Sequence, residues 1–192
     1  QKETNHYQIQ SLPINSGVFC LKKDRFQDVV WIGTDGQGVY LYSNPLYSIK
    51  SMVLSNYTEK IERPVRAIYL DDERTFWVGT KGNGILKIYD YEFDKNISDC
   101  RAEVLTTSNS ALSSNAVYCF AKSHRNLLWI GDEEGLTYYS YREKRIKSIP
   151  IRIGNEDFKY IHDIYETADS ELWLASVGMG VVKARIAGTP DN

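Results

Sequence analysis

Hydrophobic and polar residues alternate in short blocks along this chain, and no block keeps a helical period. Brief apolar runs rich in Val, Ile, Tyr and Trp are separated by turns bearing Gly, Asp, Asn and Ser, which predicts β-strands joined by tight loops. Residues 29–42 (VVWIGTDGQGVYLY) show the form. Apolar and aromatic residues flank Asp35-Gly36-Gln37-Gly38, whose glycines supply the φ > 0 conformations of a hairpin turn. Glycine interrupts every candidate helix.

The hairpin recurs. "WIGTDGQGVYLY" from Trp31 returns as "WVGTKGNGILKIYD" from Trp77, "WIGDEEGLTYYS" from Trp129 and "WLASVGMGVVKA" from Trp173, at Trp spacings of 46, 52 and 44 residues. A second phrase precedes each: "VFCLKKD" from Val18, "VRAIYLDD" from Val65, "VYCFAKS" from Val117 and "IHDIYET" from Ile161. Each copy reads as strand, polar turn (residues 71–75), strand, glycine turn and strand. A weaker fourth strand follows (residues 102–106), then a polar link (residues 107–115). Four antiparallel strands in roughly 40–50 residues predict a β-propeller blade. The expected fold class is therefore all-β, one domain of four four-stranded blade-type units forming a partial propeller. The expected blades are 13–58, 59–107, 108–154 and 155–188.

Strand segments such as "AVYCFA" and "NLLWIG" are apolar on both faces, as suits a sheet packed between two neighbours. Trp31, Trp77, Trp129 and Trp173 occupy one repeated slot and are expected to fill the wedge between adjacent blades. Gly33, Gly79 and Gly131 give that wedge its close approach, with Ala175 the tolerated exception. Gly38, Gly84, Gly135 and Gly180 close the glycine turns.

The fourth unit ends soon after its third strand (residues 180–188), while "HYQIQ" (6–10) is a strand-like piece with no unit of its own. Either Tyr7 to Gln10 pairs with Val181 to Ile186 and closes a small ring, or the units form an open arc in which 6–10 is the outer strand of a missing blade. The arc is favoured, with self-association through its exposed blade faces expected.

The bulk numbers exclude more than they assign. The 192 residues suffice for one domain with a real core, and 42% hydrophobic with 25% charged residues is ordinary for a soluble globular chain. A net charge of −2 gives no electrostatic reason to expect nucleic acid or an anionic membrane. No apolar run has the length of a membrane-spanning helix, and no signal segment opens the chain. Because it begins at Gln1, the chain reads as a processed or excised piece of something longer. Cys20, Cys100 and Cys119 are odd in number and lack metal-site spacing, so they read as small apolar residues. No metal or other cofactor is expected, since His6, His124 and His162 are scattered.

At the repeated phrases the sequence resembles the two-component regulator propeller repeat. The matches are the four Trp phrases and the link "NSALSSNAV" (109–117), and the resemblance covers about residues 13–188; the fourth copy, with Ala175, is degenerate. The resemblance implies the periplasmic sensor region of a Bacteroides-type hybrid histidine kinase. In that family the propeller detects carbohydrate fragments and signals to a kinase that this chain lacks. It implies an oligosaccharide or other small-molecule ligand, a parent anchored in the inner membrane, and partners among the parent's other blades and signalling domains. Family sensors carry many more blades, so four units imply a fragment.

Copy-to-copy comparison separates scaffold from variation. The first inner-strand position is Val18, Val65, Val117 and Ile161, which is packing. The second is Phe19, Arg66, Tyr118 and His162, different in every copy and close to the rim that carries the glycine turns. These four are the expected ligand contacts, with Arg63, Asn115, Lys159 and Tyr160 beside them. Plain loop variability is the competing explanation. Aromatic faces and a bidentate Arg suit sugar rings and their acidic groups. Carboxylates fall in turns (Asp71, Asp72, Asp132, Glu133, Glu134, Asp169, Glu171), where they are usually solvated or bonded to their own backbone. No catalytic acid–base pair is expected, so the chain is read as no enzyme. A protein-binding scaffold and a glycan hydrolase or lyase are the alternatives to a sensor.

Overall fold

Three repeated tryptophans organise the core. The computed structural model describes residues 11–43, 48–51, 63–91 and 100–185, and among these all regular structure is β. Blade I pairs β1 (Val18–Lys23), β2 (Val29–Thr34), β3 (Val39–Ser43) and β4 (Ser48–Ser51) in that order. Blade II does the same with β5 (Val65–Leu70), β6 (Phe76–Thr80), β7 (Ile85–Ile88) and β8 (Ala102–Leu105). Blade III follows with β9 (Val117–Lys122), β10 (Leu127–Asp132), β11 (Leu136–Ser140) and β12 (Arg145–Ile149). Blade IV has β15 (Ile161–Glu166), β16 (Glu171–Ser176) and β17 (Gly180–Arg185). All pairings are antiparallel. A small hairpin, β13 (Arg152–Ile153) with β14 (Glu156–Asp157), lies in the link to blade IV. Its Gly154-Asn155 turn is a recognisable hairpin signal that the repeat pattern masked.

The first strands stand side by side: β1 against β5, β5 against β9, and β9 against β15. Each wedge between blades is filled from one side by the repeated Trp. Trp31 lies 4.5 Å from the Phe76 ring and 5.3 Å from Tyr91, and Trp77 lies 4.8 Å from Tyr139. Trp129 packs into the cluster containing Phe158, Ile161 and Leu174. All three are essentially buried, so each indole N–H needs a partner. Asp24 accepts from Trp31 and Asp71 from Trp77, both at 2.9 Å. Blade III has Ser123 at that turn position, and Glu166 of blade IV accepts from Trp129 instead, at 2.8 Å. These three carboxylates, two in turns and Glu166 at the end of β15, are thus buried, and the two turn aspartates also bond their own backbone, one of the two fates expected of turn carboxylates. Asp71 does bond its own turn, accepting from the Glu73 and Thr75 amides.

The close approach at Gly33 and Gly131 is severe. A Cβ on Gly33 would stand 3.0 Å from the Val65 carbonyl of blade II, and one on Gly131 would stand 2.6 Å from the Ile161 carbonyl of blade IV. The Sγ atoms of Cys20 and Cys119 occupy the same wedges and donate weakly to those two carbonyls. Burial pushes the Cys20 thiol up to about 11 and the Cys119 thiol to about 12, so both stay protonated packing groups.

The two end faces differ from the interior ones. Trp173 has the repeated position but is 44% exposed, together with Tyr165 and Val181 on the same face. The expectation that it fills a wedge fails because no further blade covers it among the described residues. At the other end Val18 and Leu21 are exposed, while their counterparts Val65 and Ile68 are buried against blade I. The described blades therefore form an arc. The stretch 6–10 lies outside the described residues, as does residue 186 of the segment expected to pair with it.

Candidate functional site

One rim of the arc is built by backbone hydrogen bonds between glycine turns and the links that lead into the inner strands. The Asp35 amide donates to the Gly17 carbonyl, and the Lys81 amide to that of Pro64. The Asn115 carbonyl accepts from both Gly82 and Gly84, each at 2.9 Å, tying blade II to the link before blade III. The Tyr160 amide donates to Glu133 at 2.9 Å and ties blade III to blade IV in the same way. Tyr160 sits at φ 56°, a left-handed conformation uncommon for a bulky residue and held here by that clamp.

Just inside this rim every inner strand carries the same irregularity. Val18 pairs with Thr34 and Cys20 with Gly33, so Phe19 has no partner in the ladder. Arg66, Tyr118 and His162 are skipped in the same way in β5, β9 and β15. A β-bulge frees its extra residue from the alternation of the strand and re-aims its side chain. The position that varies between copies is therefore the bulged one. The sequence carried a trace of this: apolar residues at the first, third and fourth positions of the first three phrases break strict alternation, while the fourth has Asp163 at its third position.

The freed side chains meet one another. The Arg66 guanidinium lies over the Phe19 ring, its Cζ 3.6 Å from the centroid. Tyr118 and His162 stack at 4.2 Å between centroids and 22° between planes. Burial raises the Tyr118 hydroxyl above its ordinary range, with the Glu133 carboxylate adding to the effect. Burial lowers the His162 imidazole, and the nearby positive charges of Arg66 and Lys81 lower it further, so it is neutral at pH 7. Arg66 Nε is buried with no hydrogen-bond partner, and so is Oδ1 of Asn83 in the glycine turn of the same blade. A buried donor and a buried acceptor are thus left unpaired at one rim, at a cost in free energy.

The other expected contacts are distributed unequally. Arg63 is exposed and arches over Gly82, and Tyr160 is 42% exposed beside the Tyr118–His162 stack. Asn115 and Lys159 are engaged in the rim itself. The Asn115 side-chain oxygen accepts from the Thr107 amide at 2.9 Å, and the Lys159 ammonium pairs with Glu134.

The rim carboxylates are equally committed. Asp132 is fully buried and accepts from the Ser113 hydroxyl at 2.6 Å and from the Glu134 and Gly135 amides. Burial holds its carboxyl above the usual range. Glu133 accepts from Ser114. Among the described residues no group of His, Cys, Asp or Glu side chains is placed to hold a metal ion. The arrangement offers ring faces and guanidinium donors.

No protein-family model matches the chain. Its fold matches that of an extracellular domain from B. thetaiotaomicron described as part of the hybrid two-component system BT3049. The TM-score is 0.69 at 26% identity, over 96% of this chain and 23% of that one. PorZ, a surface component of the type-IX secretion system of Porphyromonas gingivalis, shares the fold with a TM-score of 0.64 at 14% identity. That match covers 88% of this chain and 26% of PorZ. Among curated proteins, translation initiation factor 6 of Saccharolobus solfataricus is 31% identical over 140 residues, 66% of this chain and 57% of the factor. The chain thus spans about half of that protein and about a quarter of the two structures. In fold and in sequence it resembles the extracellular propeller of two-component sensors, as its repeated phrases imply.

Proposed function

We propose that the chain is a segment of an extracytoplasmic sensor propeller that binds a carbohydrate fragment at its glycine-turn rim and passes the signal to a cytoplasmic kinase elsewhere in its parent. One observation carries this reading: four bulges place two contacting pairs, Arg66 over Phe19 and Tyr118 on His162, at one rim, with the Arg66 Nε–H unpaired. Ring faces cover the apolar face of a pyranose, and the guanidinium answers a carboxylate or sulfate on it. The likeness to the BT3049 extracellular domain supports the sensor role and a place outside the cytoplasm. Further blades of the parent are the natural partners of the exposed end faces.

Thermal-shift titration with neutral, uronic-acid and sulfated oligosaccharides tests the reading. Acidic sugars should raise the melting temperature with no product released, and Arg66→Ala should abolish the shift. Stabilisation unchanged in Arg66→Ala would move the site elsewhere, and product release would establish a glycan hydrolase or lyase.

A further inference from the structure

The opposite ends of the inner strands hold a separate cavity of about 460 Å³. Lys22, Lys23 and Arg25 line it from blade I, Tyr69 from blade II, and Phe120 and Lys122 from blade III. Asp72 accepts from Arg25 on one carboxylate oxygen and from Lys122 on the other, so a single clamp fixes two cations from two blades. Those partners hold the Asp72 carboxyl below its usual range, and the clamp is ionised at neutral pH. Lys23 pairs with Asp28. Lys22 has no carboxylate partner among the described residues, and its ammonium rests 5.6 Å from the Tyr69 ring centroid. The Tyr69 ring is buried, yet its hydroxyl makes no hydrogen bond among the described residues. Burial pushes that hydroxyl up to about 12, which keeps it a donor.

Every unspent polar group facing this cavity is thus a donor. Four cations face three carboxylates, Asp28 and Asp72 in ion pairs and Asp71 close enough to act on the Tyr69 hydroxyl, and the Lys22 charge lies beside the Tyr69 ring. We propose that this mouth of the arc binds a tetrahedral oxyanion, a phosphate or sulfate ester, through Lys22, Arg25, Lys122 and the Tyr69 hydroxyl. Lysine and arginine N–H groups and one O–H converge on the oxyanion, each as a charge-assisted or anion-directed hydrogen bond. The cavity exceeds the size of one such group, and Phe120 offers an apolar wall to the carbon skeleton that carries it. The site is independent of the glycine-turn rim, at the other end of the same strands.

Calorimetric titration of the purified chain with 4-nitrophenyl phosphate and 4-nitrophenyl sulfate, at fixed ionic strength, tests it. At least one ester should bind saturably, and the ratio of the two affinities identifies the preferred oxyanion. Lys22→Gln should weaken binding about tenfold or more, as expected for loss of a charged hydrogen bond. Tyr69→Phe should weaken it several-fold while keeping the ring, and neither change removes a bond that the fold uses. Lys147→Gln, on the outer side of blade III, should leave binding unchanged. Equal binding by the parent, Lys22→Gln and Tyr69→Phe overturns the proposal, as does the absence of saturable binding by either ester.

Discussion

Each copy of the Trp phrase has a different neighbour, and the cost of changing its residues follows that neighbour. Trp77 is wholly buried between blades II and III and donates to the buried Asp71 carboxylate. Trp77→Ala should destabilise the chain by about 3–5 kcal/mol, the usual cost of emptying a large core slot. Trp173→Ala, at the same repeat position on an exposed face, should cost about 1 kcal/mol or less. Urea denaturation of the two variants checks the pair, and equal losses would mean that something covers Trp173. Gly131→Ala should cost about 1–3 kcal/mol, since its Cβ enters the space of the Ile161 carbonyl. Ala175 is tolerated at the matching place because no inner strand lies across from it among the described residues. Spacing alone revealed the shared slot. Exposure of its fourth copy depends on a neighbour outside the phrase, so no residue within the phrase signals it.

The inner strand with its bulge is the element on which the proposed function rests. Copy comparison picked out Phe19, Arg66, Tyr118 and His162, but the bulge that frees them is a matter of register, which sequence fixes only through pairing. The contacts they make with one another were not legible, because they join residues some 40–50 positions apart. Asn115 and Lys159 illustrate the converse: both stand beside the bulges, yet their side chains are spent on Thr107 and Glu134. His162 gives the strand a pH signature. Its imidazole is lowered in the folded chain, so below its ordinary value of about 6.5 the unfolded chain takes the proton first and stability falls with pH. His162→Phe should melt with a shallower decline between pH 7 and pH 5, as calorimetry at a series of pH values will record. Parallel declines in the two proteins would place the effect elsewhere.

At the scale of the molecule, three buried wedges and two faces left uncovered among the described residues make the described blades an arc. An exposed face carrying Tyr165, Trp173 and Val181 favours association in water. The isolated chain should therefore scatter light as a dimer or larger species at micromolar concentration, and Trp173→Lys should shift it towards monomer. The propeller class was legible because a repeat multiplies weak local signals fourfold; ring or arc was not, because closure depends on how residues distant in sequence meet. In the proposed function, ligand enters at the bulges. Hydrogen exchange of the chain with and without a mixture of uronic-acid di- and tetrasaccharides tests it most directly. Protection should rise at residues 17–19, 63–66, 115–118 and 159–162 and in the glycine turns, with the outer strands unchanged. Protection confined to the outer strands, or none in the presence of a stabilising sugar, would contradict it.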